Sequence, residues 1–98
     1  MDVQAMRIAV LHVELHLPYA QSLKDKRMVL RRVKDRLQKF NVAVAEVEHQ
    51  DLWQRGVLAA VTVSSDHVHA EKVLRSVEDE AVAMLGDSLA DCTVEWLA

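Results

Sequence analysis

The sequence predicts an α+β sandwich, one antiparallel sheet with two helices on a single face. Three observations predict it. Residues 6–17 alternate apolar and polar side chains, the period of a half-buried strand. Residues 22–40 and 67–85 carry apolar stripes at the helical period. The other apolar runs are short and complete the order strand-helix-strand-strand-helix-strand.

In the first strand Ala9, Leu11, Val13, Leu15 and Leu17 line one face, and Ile8, Val10, His12, Glu14 and His16 the other. Pro18, lacking an amide donor, stops the ladder. Ser22 then serves as N-cap with Asp25 at capping-box spacing. Val29, Leu30, Val33, Leu37 and Phe40 form the core stripe of the first helix, and Asn41 suits a left-handed C-cap. Residues 42–48 read as a second strand and 50–56 as a turn into a third, 57–64, the pair making a hairpin. Ser65 and Asp66 cap the second helix, whose stripe is Ala70, Val73, Val77, Ala81 and Met84, with Gly86 closing it. Residues 92–97 form the last strand, Val94 and Trp96 on one face.

This order is the split βαβ pair of the ferredoxin-like fold. Right-handed crossovers put both helices on one face of a four-stranded sheet, with the first and third strands central. The 98 residues make a single domain, 1–98, with no repeat or linker. The lone Cys92 excludes an internal disulfide and suits a reducing cytoplasm. The start reads as no signal peptide, because Arg7, His12, Glu14 and His16 interrupt its apolar residues. No apolar run approaches the ~20 residues of a membrane span, so no membrane partner is expected.

Charge is unevenly spread. Residues 22–40 hold eight of the twelve Lys and Arg residues but two of the fifteen Asp and Glu, so this stretch is net +6 and the rest net −9. Lys24, Arg27, Arg31 and Lys34 step by three, four and three residues, a row of neighbours on the helix surface opposite the core stripe. The topology also brings the loop after the first strand, the start of this helix and the hairpin tip to one end of the domain. Lys24, Lys26, Arg27, Trp53 and Arg55 would gather there around a helix N-terminus whose amides favour anions. Lys26 falls in the apolar stripe, so its stem should bury while its ammonium reaches that edge. The expected RNA- or anion-binding set is therefore Ser22, Lys24, Lys26, Arg27, Arg31, Lys34, Trp53 and Arg55.

Two of these stretches, SLKDKRMVLRRVKDRL and VAEVEHQDLWQRGVLAAVTV, resemble the YlxP-like family of small bacterial proteins, which carries a domain-of-unknown-function heading. The resemblance covers nearly the whole chain and implies the ferredoxin-like fold but no activity. Family genes often lie beside those for translation initiation factor two and ribosome-binding factor A, which implies a setting near ribosomes or RNA.

No catalytic or metal residues are expected, and no cofactor. Glu14, Glu46 and Glu48 come with no nucleophile, oxyanion donors or Gly-rich cradle. Acylphosphatases share this fold but carry a Gly-containing loop after the first strand, and LPYAQSLKDKR has no Gly. His12 and His16 share a face but stand ~13 Å apart along the strand, too far for one zinc ion; a His16–His49 pair is the remaining metal reading. The open sheet face is expected to carry Ile8, Val10, His12, Glu14, Leu58, Ala60, Thr62 and Glu95, with no aromatic for base stacking. The expectation is thus a non-catalytic cytoplasmic protein partnered by RNA or a ribosomal subunit. The alternative is a homodimer or other interaction module pairing through Ile8, Val10, Leu58 and Ala60 and binding a protein or small anion.

Overall fold

The computed structural model describes residues 5–98. The first four residues of the expected 1–98 domain, and of the start read as no signal peptide, lie outside the described residues. The chain runs β1 (Arg7–His16), α1 (Leu23–Leu37), β2 (Ala43–Glu48), β3 (Arg55–Ser64), α2 (His67–Leu85) and β4 (Leu89–Trp96). Its strands form one antiparallel sheet in the order β2-β3-β1-β4, the ferredoxin-like βαββαβ arrangement with β1 and β3 central.

Local chemistry sets the helix ends. The Asp25 amide donates to Ser22 Oγ at 3.1 Å, and the Asp25 carboxylate accepts from the Gln21 amide at 3.0 Å. α1 ends at Leu37; Gln38–Phe40 tightens into a 3-10 turn, and Asn41 takes the left-handed conformation at φ 63°. The Val68 amide donates to Asp66 Oδ1 at 3.0 Å, and Gly86 closes α2 at φ 52°.

The core joins Ala9, Leu11, Val13 and Leu15 of β1 to Leu30, Val33 and Leu37 of α1 and Leu74, Val77 and Ala81 of α2. Each buried Val or Leu contributes about 1.5–3 kcal/mol relative to exposure. Leu74 replaces Val73 at the centre of the α2 stripe, with Val73 left half-buried.

The strand register overturns one expectation. Val13 lies opposite Leu58, Leu11 opposite Ala60 and Ala9 opposite Thr62. Directly opposed residues share a face, so Leu58 and Ala60, expected at an oligomer interface, and Thr62 with them, sit under the helices and are buried. Val57, Ala59, Val61 and Val63 take their places on the open face, opposite Glu14, His12, Val10 and Ile8. The cause is the composition of β3: VLAAV has no polar residue to mark a face, so only its pairing with β1 decides which side is inward. Ile8 and Val10 keep their expected place on the open face, although Val10 is 6% exposed and offers little free surface.

Candidate nucleic-acid interface

The helical period turns Lys24, Arg27 and Arg31 fully outward and leaves Lys34 half-buried. None of the four makes an ion pair among the described residues. Arg31 also joins Arg32 and Arg36 of the same helix and Lys39 of the following 3-10 turn around a shallow depression of about 450 Å³, lined further by Met28 and Asp35. Arg36 alone of these is paired, to Glu80 at 3.1 Å. Arg32 and Lys39 thus extend the cationic surface beyond the expected row. Their signal was present in the charge count of residues 22–40, but the row of three-and-four steps selected only one flank of the helix.

Lys26 does not belong to that surface. Its side chain is 1% exposed, and its ammonium donates to the carbonyls of His49 and Leu52, the latter at 2.7 Å. Glu46 Oε2 lies 3.0 Å away as an ion-pair partner, without accepting a hydrogen bond. Gly56 makes the passage: a Cβ there would stand 3.2 Å from Lys26 Cε. The expected burial of the stem is observed, but the ammonium binds the chain instead of an anion. Two accepting carbonyls and one carboxylate at ion-pair distance offset a charge that would otherwise be costly to bury. Ser22 is likewise engaged, its oxygen capping the helix, and the Asp25 carboxylate already faces that positive end. The Asp25 amide at the N-terminus of α1 is therefore already taken, and Ser22 and Lys26, engaged within the chain, leave the expected anion-binding set.

Trp53 is 50% exposed, so the ring does not act as a buried staple. With His16, Asp51, Leu52, Gln54 and Arg55 it lines an open groove of about 530 Å³ at the hairpin tip. Arg55 lies opposite His16 on the open sheet face and pairs with Glu14 at 3.0 Å, with both partners solvated. Such an exposed pair contributes about 0–1 kcal/mol. The structure thus divides the expected set in two: Lys24, Arg27, Arg31 and Lys34 line α1, while Trp53 and Arg55 line a separate groove at the end of the open face.

Among the described residues no group of three His, Cys, Asp or Glu side chains could hold a metal ion. Burial, with Glu78 and Asp91 adding, pushes the Cys92 thiol up to about 11, so it stays protonated and unreactive near neutrality. No helix is long and apolar enough to cross a membrane.

The sequence profile of a family described as "Protein of unknown function (DUF503)" matches residues 8–94. The chain is 49% identical over 59 residues to the uncharacterized protein YlxP of Bacillus subtilis, a match covering 59% of this chain and 64% of that protein. Among solved structures it is similar to the de novo designed protein Foldit4, at TM-score 0.60 and 9% identity over 95% of this chain and 97% of that one. It is also similar to a C-terminal segment of the alpha subunit of aIF2 from Pyrococcus abyssi, at TM-score 0.53 and 19% identity over 94% and 49% of the two chains. A mutant of SnoaB, a cofactor-independent oxygenase from Streptomyces nogalater, matches at TM-score 0.51 and 14% identity over 96% and 92%. At these identities the likeness to solved structures is one of fold alone.

Proposed function

The chain belongs to the DUF503 family of proteins of unknown function, and from that premise we propose that it is a non-catalytic cytoplasmic protein associated with RNA or the ribosome, gripping phosphates along the outer face of α1. One observation carries this reading. In a chain that is net negative, Lys24, Arg27, Arg31, Arg32 and Lys34 on α1, with Lys39 on the 3-10 turn that follows it, stand with no ion pair among the described residues. Unpaired cations at helical spacing meet a phosphate backbone without first breaking internal contacts, and each contact releases a counterion. Trp53 supplies a separate stacking surface for an exposed base at the hairpin tip, worth about 1–3 kcal/mol where a base engages it.

Anisotropy titrations with structured RNA and with ribosomal subunits test this reading. Four phosphate contacts give a slope of roughly −3 to −4 in log K against log salt. Reversing Arg27 and Arg31 to Glu should abolish binding and leave the melting temperature nearly unchanged, since both side chains are exposed. Binding that survives the double reversal at ~0.15 M salt would reduce the row to a solvated surface.

A second reading rests on the open sheet face. Ile8, Val10, Ala59, Val61 and Val63 form an apolar run across the two central strands, with Val63 60% exposed. That face suits a homo-oligomer, or a module that docks a protein or small anion. Sedimentation at rising concentration separates the two readings, because a protein that stays monomeric removes the homo-oligomer.

A further inference from the structure

The two outer strands of the sheet are finished differently. Ile8 donates its amide to the Ala98 carbonyl at 3.2 Å and accepts from the Leu97 amide at 2.8 Å, so its backbone groups turn toward β4. In an antiparallel ladder the direction alternates, and Val10, His12 and Glu14 turn the same way. Their partners Glu95, Thr93 and Asp91 face back toward β1. Cys92, Val94 and Trp96 therefore direct their amides and carbonyls off the edge of the sheet. Consistent with this, the Cys92 amide donates to the Asp91 carboxylate at 2.9 Å rather than to β1. The Val94 side chain is 45% exposed, and β4 contains neither Lys nor Pro to discourage pairing.

The opposite edge is shorter and more irregular. β2 is six residues long, its register breaks between Glu46 and Glu48, and the Glu46 carbonyl is taken by Gln50 Nε2 at 3.1 Å. Shortening, bulging and capping are devices that keep an edge from recruiting another strand. β4 has one register break, between Leu89 and Asp91, and one cap, the Asp91 carboxylate on the Cys92 amide, but from Val94 to Trp96 it shows neither.

Charge selects the occupant. Asp91 and Glu95 stand exposed on the open face of β4, and Glu78 of α2 raises the Cys92 thiol from the helix side. Carboxylates thus flank the free edge on both faces. A second copy of β4 would bring like charges together, which is destabilising for opposed residues. We propose that the outer edge of β4 accepts an extended cationic peptide segment as a fifth strand. Its backbone pairs with Val94 and Trp96, and its alternate Lys or Arg side chains meet Asp91 and Glu95. This inference uses the edge remote from β2 and is independent of the phosphate reading for α1.

The test is a titration of the full chain with a synthetic peptide of about eight residues, a usual strand length, alternating Thr or Val with Lys. A matched peptide carrying Glu in place of Lys is the control. Binding of the Lys peptide should slow hydrogen exchange at the Val94 and Trp96 amides, and the Glu peptide should not bind. Val94→Pro removes an outward amide that contributes nothing to the β1 ladder, so the fold should persist while binding is lost. Asp91→Lys with Glu95→Lys should weaken the Lys peptide by roughly tenfold or more. Four outcomes would overturn the proposal: equal binding of both peptides, no protection of the Val94 amide, binding that survives Val94→Pro in a folded protein, or β4-mediated dimers of the free chain.

Discussion

The two helices are fastened to one sheet by different means. α2 lays an unbroken apolar stripe, Ala70, Leu74, Val77 and Ala81, across the central strands, and all four are buried. α1 also buries Leu30, Val33 and Leu37, but its stripe begins with Lys26, held by two hairpin carbonyls and the Glu46 carboxylate. Apolar burial is non-directional, so it presses a helix onto a face without dictating how far it slides. Two carbonyl acceptors and a carboxylate around one ammonium do dictate that, and they tie the start of α1 to the hairpin that carries Trp53. The helix with a cationic outer face is thus the one anchored by charge inside.

Breaking that anchor should produce the largest effect. Lys26→Met keeps the stem but leaves Glu46 without its counter-charge and the carbonyls of His49 and Leu52 without their donor. The expected cost is about 3–5 kcal/mol, the range for removing one partner of a buried ion pair. Urea unfolding measures it, and adding Glu46→Gln should recover part of the loss through the coupling between contacting residues. A cost under ~1 kcal/mol, the scale of an exposed pair, would mean that the apolar stripe alone holds α1.

On α2 the corresponding change is Leu74→Ala, at a side chain 2% exposed. Loss of the side chain and the cavity left behind should cost about 2–4 kcal/mol. A methionine at each site then sharpens the comparison. Leu74→Met, a volume-conserving swap, should cost less than about 1.5 kcal/mol, whereas Lys26→Met should keep its full cost because what it removes is charge and hydrogen bonding. Equal costs for the two methionine variants would erase the distinction between the two attachments.

What sequence reasoning reached follows the same division. The stripes of both helices, the caps at Ser22 and Asp66 and the inward residues of β1 were legible because period and capping are local properties. The burial of the Lys26 stem was legible too, since 26 falls in the apolar stripe of its own helix. The destination of its ammonium was not, because its carbonyl partners lie 23 and 26 residues away and depend on how the hairpin closes. The facing of Leu58 and Ala60 was hidden for a related reason. β3 is apolar on both sides at its start, and its register with β1 is a long-range fact. Arg55 was placed at the right end of the domain, but its partner Glu14 lies 41 residues away on the open face. Local patterns therefore revealed the cationic helix, while every contact made by a charged side chain across the sheet stayed out of reach.

The smallest stability change should come at the far end of that anchor, from Trp53. Lys26 holds the Leu52 carbonyl, so the backbone next to the ring is fixed whether or not the ring is present. The ring itself is 50% exposed and borders a groove open to solvent. Trp53→Ala should therefore cost about 0.5 kcal/mol, as surface changes do, and far less than the ~3–5 kcal/mol of a core aromatic. Any role for the ring must then appear in binding, where losing one stacked base costs about 1–3 kcal/mol and depends little on salt. Arg55→Ala is the control: its loss should fade as salt rises, because a phosphate contact releases a counterion. Calorimetry on Trp53→Ala, beside titrations of both variants at two salt concentrations, decides the matter. A melting temperature lowered as far as in Leu74→Ala would show that the hairpin depends on the ring, and that Lys26 alone does not hold it.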